Sequence, residues 1–249
     1  MKISMKITNR IAATALITAA IIISMLIMSI AYTSRGKAIK KIEVTGKAER
    51  DFTADLIVWN GYFTKQNSNM KEAFKQLKRD EALVKDYLVK KGIKENEMVF
   101  SSVQIKKVYE NYYDEKGRYN YRLTGYELQQ EVNISSHDID KIEKISREVS
   151  ELIDLDVELT SDAPDFFYTK LSDLKLELIE EATTDGRLRA EKIAIGAKSK
   201  LGKLLYANQG IFQITAQNSN EDYSWGGAFN TKSKEKTASI TVRLNFETK

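Results

Sequence analysis

A lone histidine, His137, and a complete lack of cysteine leave this 249-residue chain few groups for chemistry. Without a thiol there is no disulfide, no thiolate metal site and no cysteine nucleophile, and the redox compartment stays undecided. One imidazole cannot build a multi-histidine metal centre. His137 lies in Ser135-Ser136-His137-Asp138, where Ser136 or Asp138 reads as a helix N-cap and the imidazole as its exposed neighbour. The most tempting polar cluster is Arg187, Arg189 and Glu191, with Asp185 beside it. Asp185 with Arg189, and Arg187 with Glu191, stand four apart and can pair along a helix. Exposed pairs of this kind contribute only about 0.3–0.5 kcal/mol each. They read as a surface ladder, with a ligand-binding arginine as the alternative. A serine–lysine or paired-carboxylate scheme is not singled out by any spacing. The expectation is a protein that is not an enzyme, with no catalytic, cofactor-binding or metal-binding residues.

The aromatic residues are more distinctive. Tyr109, Tyr112, Tyr113, Tyr119 and Tyr121 crowd into YENYYDEKGRYNY. Asp114-Glu115-Lys116-Gly117 suits a type I turn closed by a glycine bulge. That register sets Tyr113 opposite Tyr119 and Asn111 opposite Tyr121. Cross-strand aromatic pairs contribute roughly 0.2–1 kcal/mol, enough to stiffen a projecting ribbon. Strand propensity alone accounts for such a ribbon, and its leading functional reading is self-association, since tyrosine is enriched in interfaces. Glu110, Asp114 and Glu115 balance Lys116 and Arg118, so the basic groove of a nucleic-acid platform is missing; a carbohydrate platform stays open. A second aromatic group, Tyr223, Trp225 and Phe229, sits in the polar stretch 218–236, NSNEDYSWGGAFNTKSKEK. Its glycines lack the strand–glycine–helix setting of a phosphate loop. Loops this long are often functional or mobile, and the three aromatics read either as a contact site or as a self-packed loop.

These residues must be held by elements whose periods are legible. Ile42 and Val44 share a face of a first strand, and Gly46 to Asp51 reads as a turn. Phe52 to Phe63 reads as a long strand, apolar on both faces and therefore central. Asn67 to Lys91 is helical, with a stripe of Met70, Ala73, Phe74, Leu77, Val84, Tyr87 and Leu88; Ser68 or Asn69 caps its start and Gly92 its end. A hairpin of Val99–Tyr113 and Tyr119–Ser135 follows. Asp138 to Ile153 is a short helix buried through Ile139, Ile142, Ile145, Val149 and Leu152. Leu155 to Thr160 is a strand, Pro164 a break, and 171–200 a long helix. Strands at 201–216 and 237–246 end the chain. Helix–strand–strand recurs at 69–135 and 171–247, a weak internal repeat. The fold class is α+β, with antiparallel sheets and helices packed on them. Asn133-Ile134-Ser135 matches a glycosylation sequon but lies inside a strand, where it reads as chance.

A leader sets the address. Ile11 to Tyr32 carries no charge and follows Lys2, Lys6 and Arg10. It is just long enough to cross a ~30 Å hydrocarbon core, and longer than the ~7–15-residue core of a signal peptide. Ser29-Ile30-Ala31 still offers small residues to a signal peptidase. Arg35, Lys37, Lys40 and Lys41 place positive charge on the far side too. The division is therefore 1–35, anchor or signal, and 36–249, one α+β domain. The body stands outside the cytoplasm, held to the membrane through 11–32, or exported if the leader is cut. Net charge is +4, with several of those charges flanking the leader, so no nucleic-acid footprint stands out.

Several motifs together resemble the SIMPL domain, also called DUF541, across essentially all of 39–247. The family's opening V-x-G-x-G-E is similar to Val44-Thr45-Gly46-Lys47-Ala48-Glu49, with Ala48 at the second glycine. Its proline–aspartate pair appears as Ala54-Asp55. Gly92-Ile93, Val99-Phe100-Ser101 and Gly125-Tyr126 match its later landmarks. The strongest match is Ala182-Thr183-Thr184-Asp185-Gly186-Arg187-Leu188-Arg189-Ala190-Glu191-Lys192-Ile193-Ala194 followed by Leu201-Gly202, similar to A-x-x-D-A-R-x-R-A-E-x-L-A and L-G, with Gly186 where alanine is usual. The resemblance implies a non-enzymatic bacterial envelope or periplasmic protein. Some relatives are linked to oxidative-stress tolerance and some form hollow ring-like or channel-like homo-oligomers. No catalytic residue comes with it. A homo-oligomer or a protein partner is the expected mode of action, through Tyr109, Tyr112, Tyr113, Tyr119, Tyr121, Tyr223, Trp225 and Phe229. The alternative is a ligand-binding envelope module with a pocket between sheet and the 171–200 helix, lined by Arg187 or Arg189.

Overall fold

The computed structural model describes the backbone of residues 2–35, 40–222 and 224–249, with side chains described for 14–30, 32 and from 40 onward, Tyr223 excepted. The elements in chain order are α1 (Lys2–Arg35), β1 (Lys41–Thr53), β2 (Leu56–Asn67), α2 (Met70–Lys90), β3 (Met98–Phe100), β4 (Gln104–Tyr113), β5 (Tyr119–Ser136), α3 (Ile139–Glu148), β6 (Leu159–Ser161), β7 (Asp165–Phe167), α4 (Leu171–Gly196), β8 (Leu201–Gln209), β9 (Gln213–Ala216) and β10 (Glu235–Thr248). They form two antiparallel sheets and, among the described residues, four α-helices, an α+β fold. The order helix, two strands, long strand recurs as α2–β3–β4–β5 and α4–β8–β9–β10. The chain divides into two compact units, Met1–Thr45 with Gly186–Asn208 and Arg243–Lys249, and Gly46–Asp185 with Gln209–Val242.

The second unit holds the six-stranded sheet, ordered β3-β5-β2-β6, with β4 also on β5 and β7 also on β2. The central pair β2–β5 runs from Ile57↔Ser136 to Asn67↔Tyr126. Ile57, Trp59 and Phe63 on β2, and Leu128, Val132 and Ile134 on β5, alternate onto one face. The helices α2 and α3 cover that face with Ala73, Leu77, Val84, Leu88, Ile139, Ile142 and Ile145. Burying each large apolar side chain contributes about 1.5–3 kcal/mol. The Asn69 carboxamide accepts the Lys71 N–H and so starts α2, while Gly92, at φ +89°, lets the chain leave it. Asp138 caps α3 in the same way. The other unit holds α1, the start of β1, the end of α4, β8 as far as Asn208 and the end of β10.

Several expectations need correction. Gly46 to Asp51 is not a turn; β1 runs straight through it. Val44, Gly46 and Ala48 alternate inward while Lys47, Glu49 and Asp51 face solvent, so small residues on a buried face imitate a loop. Phe52 belongs to β1, and the chain reverses at Ala54-Asp55 before β2 begins. The Asp55 carboxylate fixes that corner by accepting the Thr169 N–H and hydroxyl, both at 2.7 Å. Burial raises its proton affinity, but these bonds outweigh it and hold the carboxyl below its ordinary range. Met70 and Phe74, assigned to the buried stripe, are 43% and 44% exposed; Asp80 takes an inward place instead, 3.0 Å from Lys65. Residues 155–158 are not strand, since a 3-10 turn runs to Leu155 and β6 begins at Leu159. The strand expected over 201–216 is broken at Gly210–Phe212, where the Gly210 N–H turns to the Thr241 carbonyl. Among the described residues no helix is long and apolar enough to cross a membrane. The side chains of α1 from Thr14 to Ile30 are all exposed; Lys2, Lys6, Arg10, Arg35 and Lys37, which enter the orientation argument, lie outside the described side chains.

Candidate functional site

The tyrosines stand on an arm. From Tyr126 to Ser136, β5 pairs with β2, but from Tyr119 to Gly125 only β4 accompanies it. Gly125 marks the junction, because a Cβ there would sit 2.7 Å from the Asn67 carbonyl oxygen. A bulge between Val108 and Tyr109 then resets the faces. The tip is the expected turn, with Gly117 at φ +71°, Tyr113 opposite Tyr119 and Asn111 opposite Tyr121. The Asp114 carboxylate accepts the N–H groups of Lys116 and Arg118 at 2.9 Å and the Arg118 Nε at 2.8 Å. The Arg118 N–H above all holds that carboxyl below its usual range.

Register sorts the side chains. Tyr109, Tyr113, Tyr119, Tyr121 and Leu123 share one face. Tyr109–Tyr121 and Tyr113–Tyr119 meet edge to face, with centroids 5.6 Å apart. The reverse face carries Tyr112, with the Arg122 guanidinium 5.8 Å from its ring and 2.7 Å from Glu110. The five tyrosines are between 43% and 72% exposed. The sequence treats them as one group; the strand parity that separates four from Tyr112 was available in it.

The 217–234 loop is laced to the sheet. The Gln213 Nε2 donates to the Ser224 carbonyl at 2.9 Å, and its Oε1 accepts the Ala228 N–H at 2.5 Å. The Glu221 carboxylate accepts the Ala216 N–H and the Asn230 Nδ2. Lys236, 2% exposed, donates to the Asn230 carbonyl at 2.5 Å, and burial pushes its ammonium down to about 8. Sequence reasoning missed Gln213, Glu221, Asn230 and Lys236, since polar residues at strand ends read as surface. Phe229 is more than half exposed, Trp225 is 96% exposed, and Tyr223 lies outside the described residues.

The remaining polar residues take ordinary places. Exposed Arg187 pairs through Nε with half-buried Glu191 at 3.1 Å. Asp185 accepts the N–H of Lys47 at 2.9 Å, on a strand at the end of its sheet order. Arg50 reaches both Glu177 and Glu181. The exposed His137 Nδ1 lies 2.6 Å from the Asp55 carbonyl. In the first unit, Glu43, Val44, Leu188, Arg189, Lys192 and Ile193 line an open concavity of about 570 Å³. Among the described residues no three histidine, aspartate or glutamate side chains are grouped to hold a metal.

This is an α+β protein whose most distinctive groups lie on an arm and a loop. The model of the SIMPL family, described as a protein of unknown function (DUF541), matches residues 42–246. The chain belongs to that family. A search of curated proteins finds no match.

Proposed function

We propose that this chain is a non-enzymatic cell-envelope protein that acts by homo-oligomeric assembly or protein interaction through its aromatic arm. The observation that carries the reading is the one-sided face of Tyr109, Tyr113, Tyr119, Tyr121 and Leu123, open to solvent on a ribbon only two strands wide. A two-stranded ribbon is marginal by itself in water, and a partner seated on that face supplies the missing layer. The charges beside it are matched within the arm, Arg122 with Glu110 and Arg118 with Asp114, so a second neutral face meets no repulsion. The envelope address rests on the basic, then uncharged, leader and on the solvent-facing apolar side chains of α1; the leader tethers the body outside the cytoplasm or, if cut, exports it. A setting in stress tolerance comes with the family resemblance alone.

The test is the native mass of the protein together with its N-terminal sequence. An assembly is expected, and Tyr113→Ser with Tyr121→Ser should shift it towards the monomer. A sharp monomer at micromolar concentration overturns the reading. A second reading, an envelope ligand-binding module, is favoured by the concavity that brings Arg189 and Lys192 together beside the 171–200 helix. It predicts a small-molecule ligand whose binding is lost in Arg189→Ala with the assembly unchanged.

A further inference from the structure

We infer that the cleft beneath Trp225 is a binding site for a neutral polyhydroxylated ligand, a glycan segment of one or two pyranose rings. The cleft has a volume of about 520 Å³, within the ~300–1,000 Å³ of small-molecule sites. Trp225 and Ile211 give its apolar lining; Lys47, Ser239 and Thr241 add polar side chains from β1 and β10.

Each feature narrows the ligand. Trp225 is 96% exposed and its indole N–H has no partner among the described residues, so a broad aromatic surface with one donor stands open. Ser239 is 5% exposed, lines the cleft, and its hydroxyl has no protein partner among the described residues. A hydroxyl that opens into the cleft is free to meet a group that can both donate and accept, as a sugar hydroxyl does. Gly210 clears the space beside Thr241, since a Cβ at 210 would lie 2.5 Å from the Thr241 Oγ1. The one charged residue of the lining, Lys47, has its ammonium 2.5 Å from Glu49. The lining therefore offers hydroxyls and little net charge, which favours a neutral ligand over an anion. The carboxamide of Gln213 is committed to Ser224 and Ala228 and is not counted as a ligand contact; it holds the stretch that carries Trp225 in place beforehand. A pyranose ring matches this set: an apolar C–H face for the indole and an edge of hydroxyls for Ser239 and Thr241. A tryptophan anchoring a dry protein interface would leave those hydroxyls sealed without partners.

The inference uses no residue of the arm or of the Arg189 concavity, so it fails or stands separately from either reading above. The experiment titrates the full chain, held in a non-glycosidic detergent, with cellotriose and with tri-N-acetylchitotriose. Calorimetry gives the affinity, and quenching by acrylamide follows Trp225, because Trp59, the other tryptophan, is buried with its N–H on Ser161. Saturable binding of one probe is expected, with matching protection of Trp225. Trp225→Ala, on an exposed loop, should weaken binding at least about tenfold, as loss of an anchoring aromatic does. Ser239→Ala should weaken it about 3–10-fold, one hydrogen bond's worth, with unchanged circular dichroism. Three results each overturn the inference: no saturable binding of either probe at millimolar concentration, equal binding by Trp225→Ala, or protection that follows protein concentration or added glycerol in place of the glycan.

Discussion

Lys236 gives the sharpest test of how the loop is closed. Its ammonium is buried on β10 under Asn230, and its pKa falls from 10.5 to about 8, chiefly through desolvation; the carboxylates of Glu221 and Asp165 oppose the fall. At about 1.4 kcal/mol per tenfold change in proton affinity, that fall corresponds to at most ~3.5 kcal/mol. Solvent screening near the loop surface brings it to about 1.5–3 kcal/mol. Below pH 8 both the folded and unfolded amines are protonated, and the whole burden is present. Between about 8 and 10.5 the folded amine is neutral while the unfolded one still binds a proton, so this group makes stability rise with pH. Above 10.5 the burden is gone. Lys91, Lys141 and Lys234 act in the opposite sense, since bonds to carboxylates raise their pKa values and their contribution is lost as pH rises through them. The difference between wild type and Lys236→Met isolates the one group. In urea titrations from about pH 7 to about pH 11, wild type should gain about 1.5–3 kcal/mol relative to the variant. The lost bond to Asn230 adds only a constant offset. Parallel profiles, or a wild type that loses ground as pH rises, would refute the reasoning.

Other perturbations follow from single contacts. Gly125→Ala should lower stability by about 1–3 kcal/mol, read from the urea midpoint, because its Cβ meets backbone at Asn67 and Ser68 with no side chain free to yield. Lys65→Met leaves Asp80 buried without its 3.0 Å partner and should cost about 2–4 kcal/mol, with most of it recovered in Lys65→Met/Asp80→Leu. Asn69→Ala removes the α2 cap and should cost about 1 kcal/mol in the same assay.

What could be read beforehand depended on whether a residue's chemistry matched its face. The α3 stripe and the alternation of β5 were legible because isoleucine, valine and leucine sit where burial is deepest. The arm's turn was legible because Asp114 and Gly117 have local reasons to be there. β1 was misread because its inward positions are Gly46 and Ala48, whose burial leaves no hydrophobic signal. The narrow stripe of α4 shares that property: Leu174, Leu178, Ala182, Gly186, Ala190 and Ala194 are buried at every fourth position, while Leu176, Leu188 and Ile195 face outward. Met70 and Phe74 were placed inside because periodicity fixes a face but not where the sheet beneath it ends. The Trp225 cleft was out of reach because it joins β1, the Gly210 break and β10, and only long-range pairing brings these together.

β5 joins the arm to the middle of the body without an intervening linker. A pull applied at Tyr119 along the strand reaches the β2 ladder as shear, shared by every rung from Asn67↔Tyr126 to Ile57↔Ser136 at once. Nothing has to peel open rung by rung. Whatever grips the aromatic tip thus holds the centre of the sheet directly, and the tether should yield mechanically at the grip before it yields in the body.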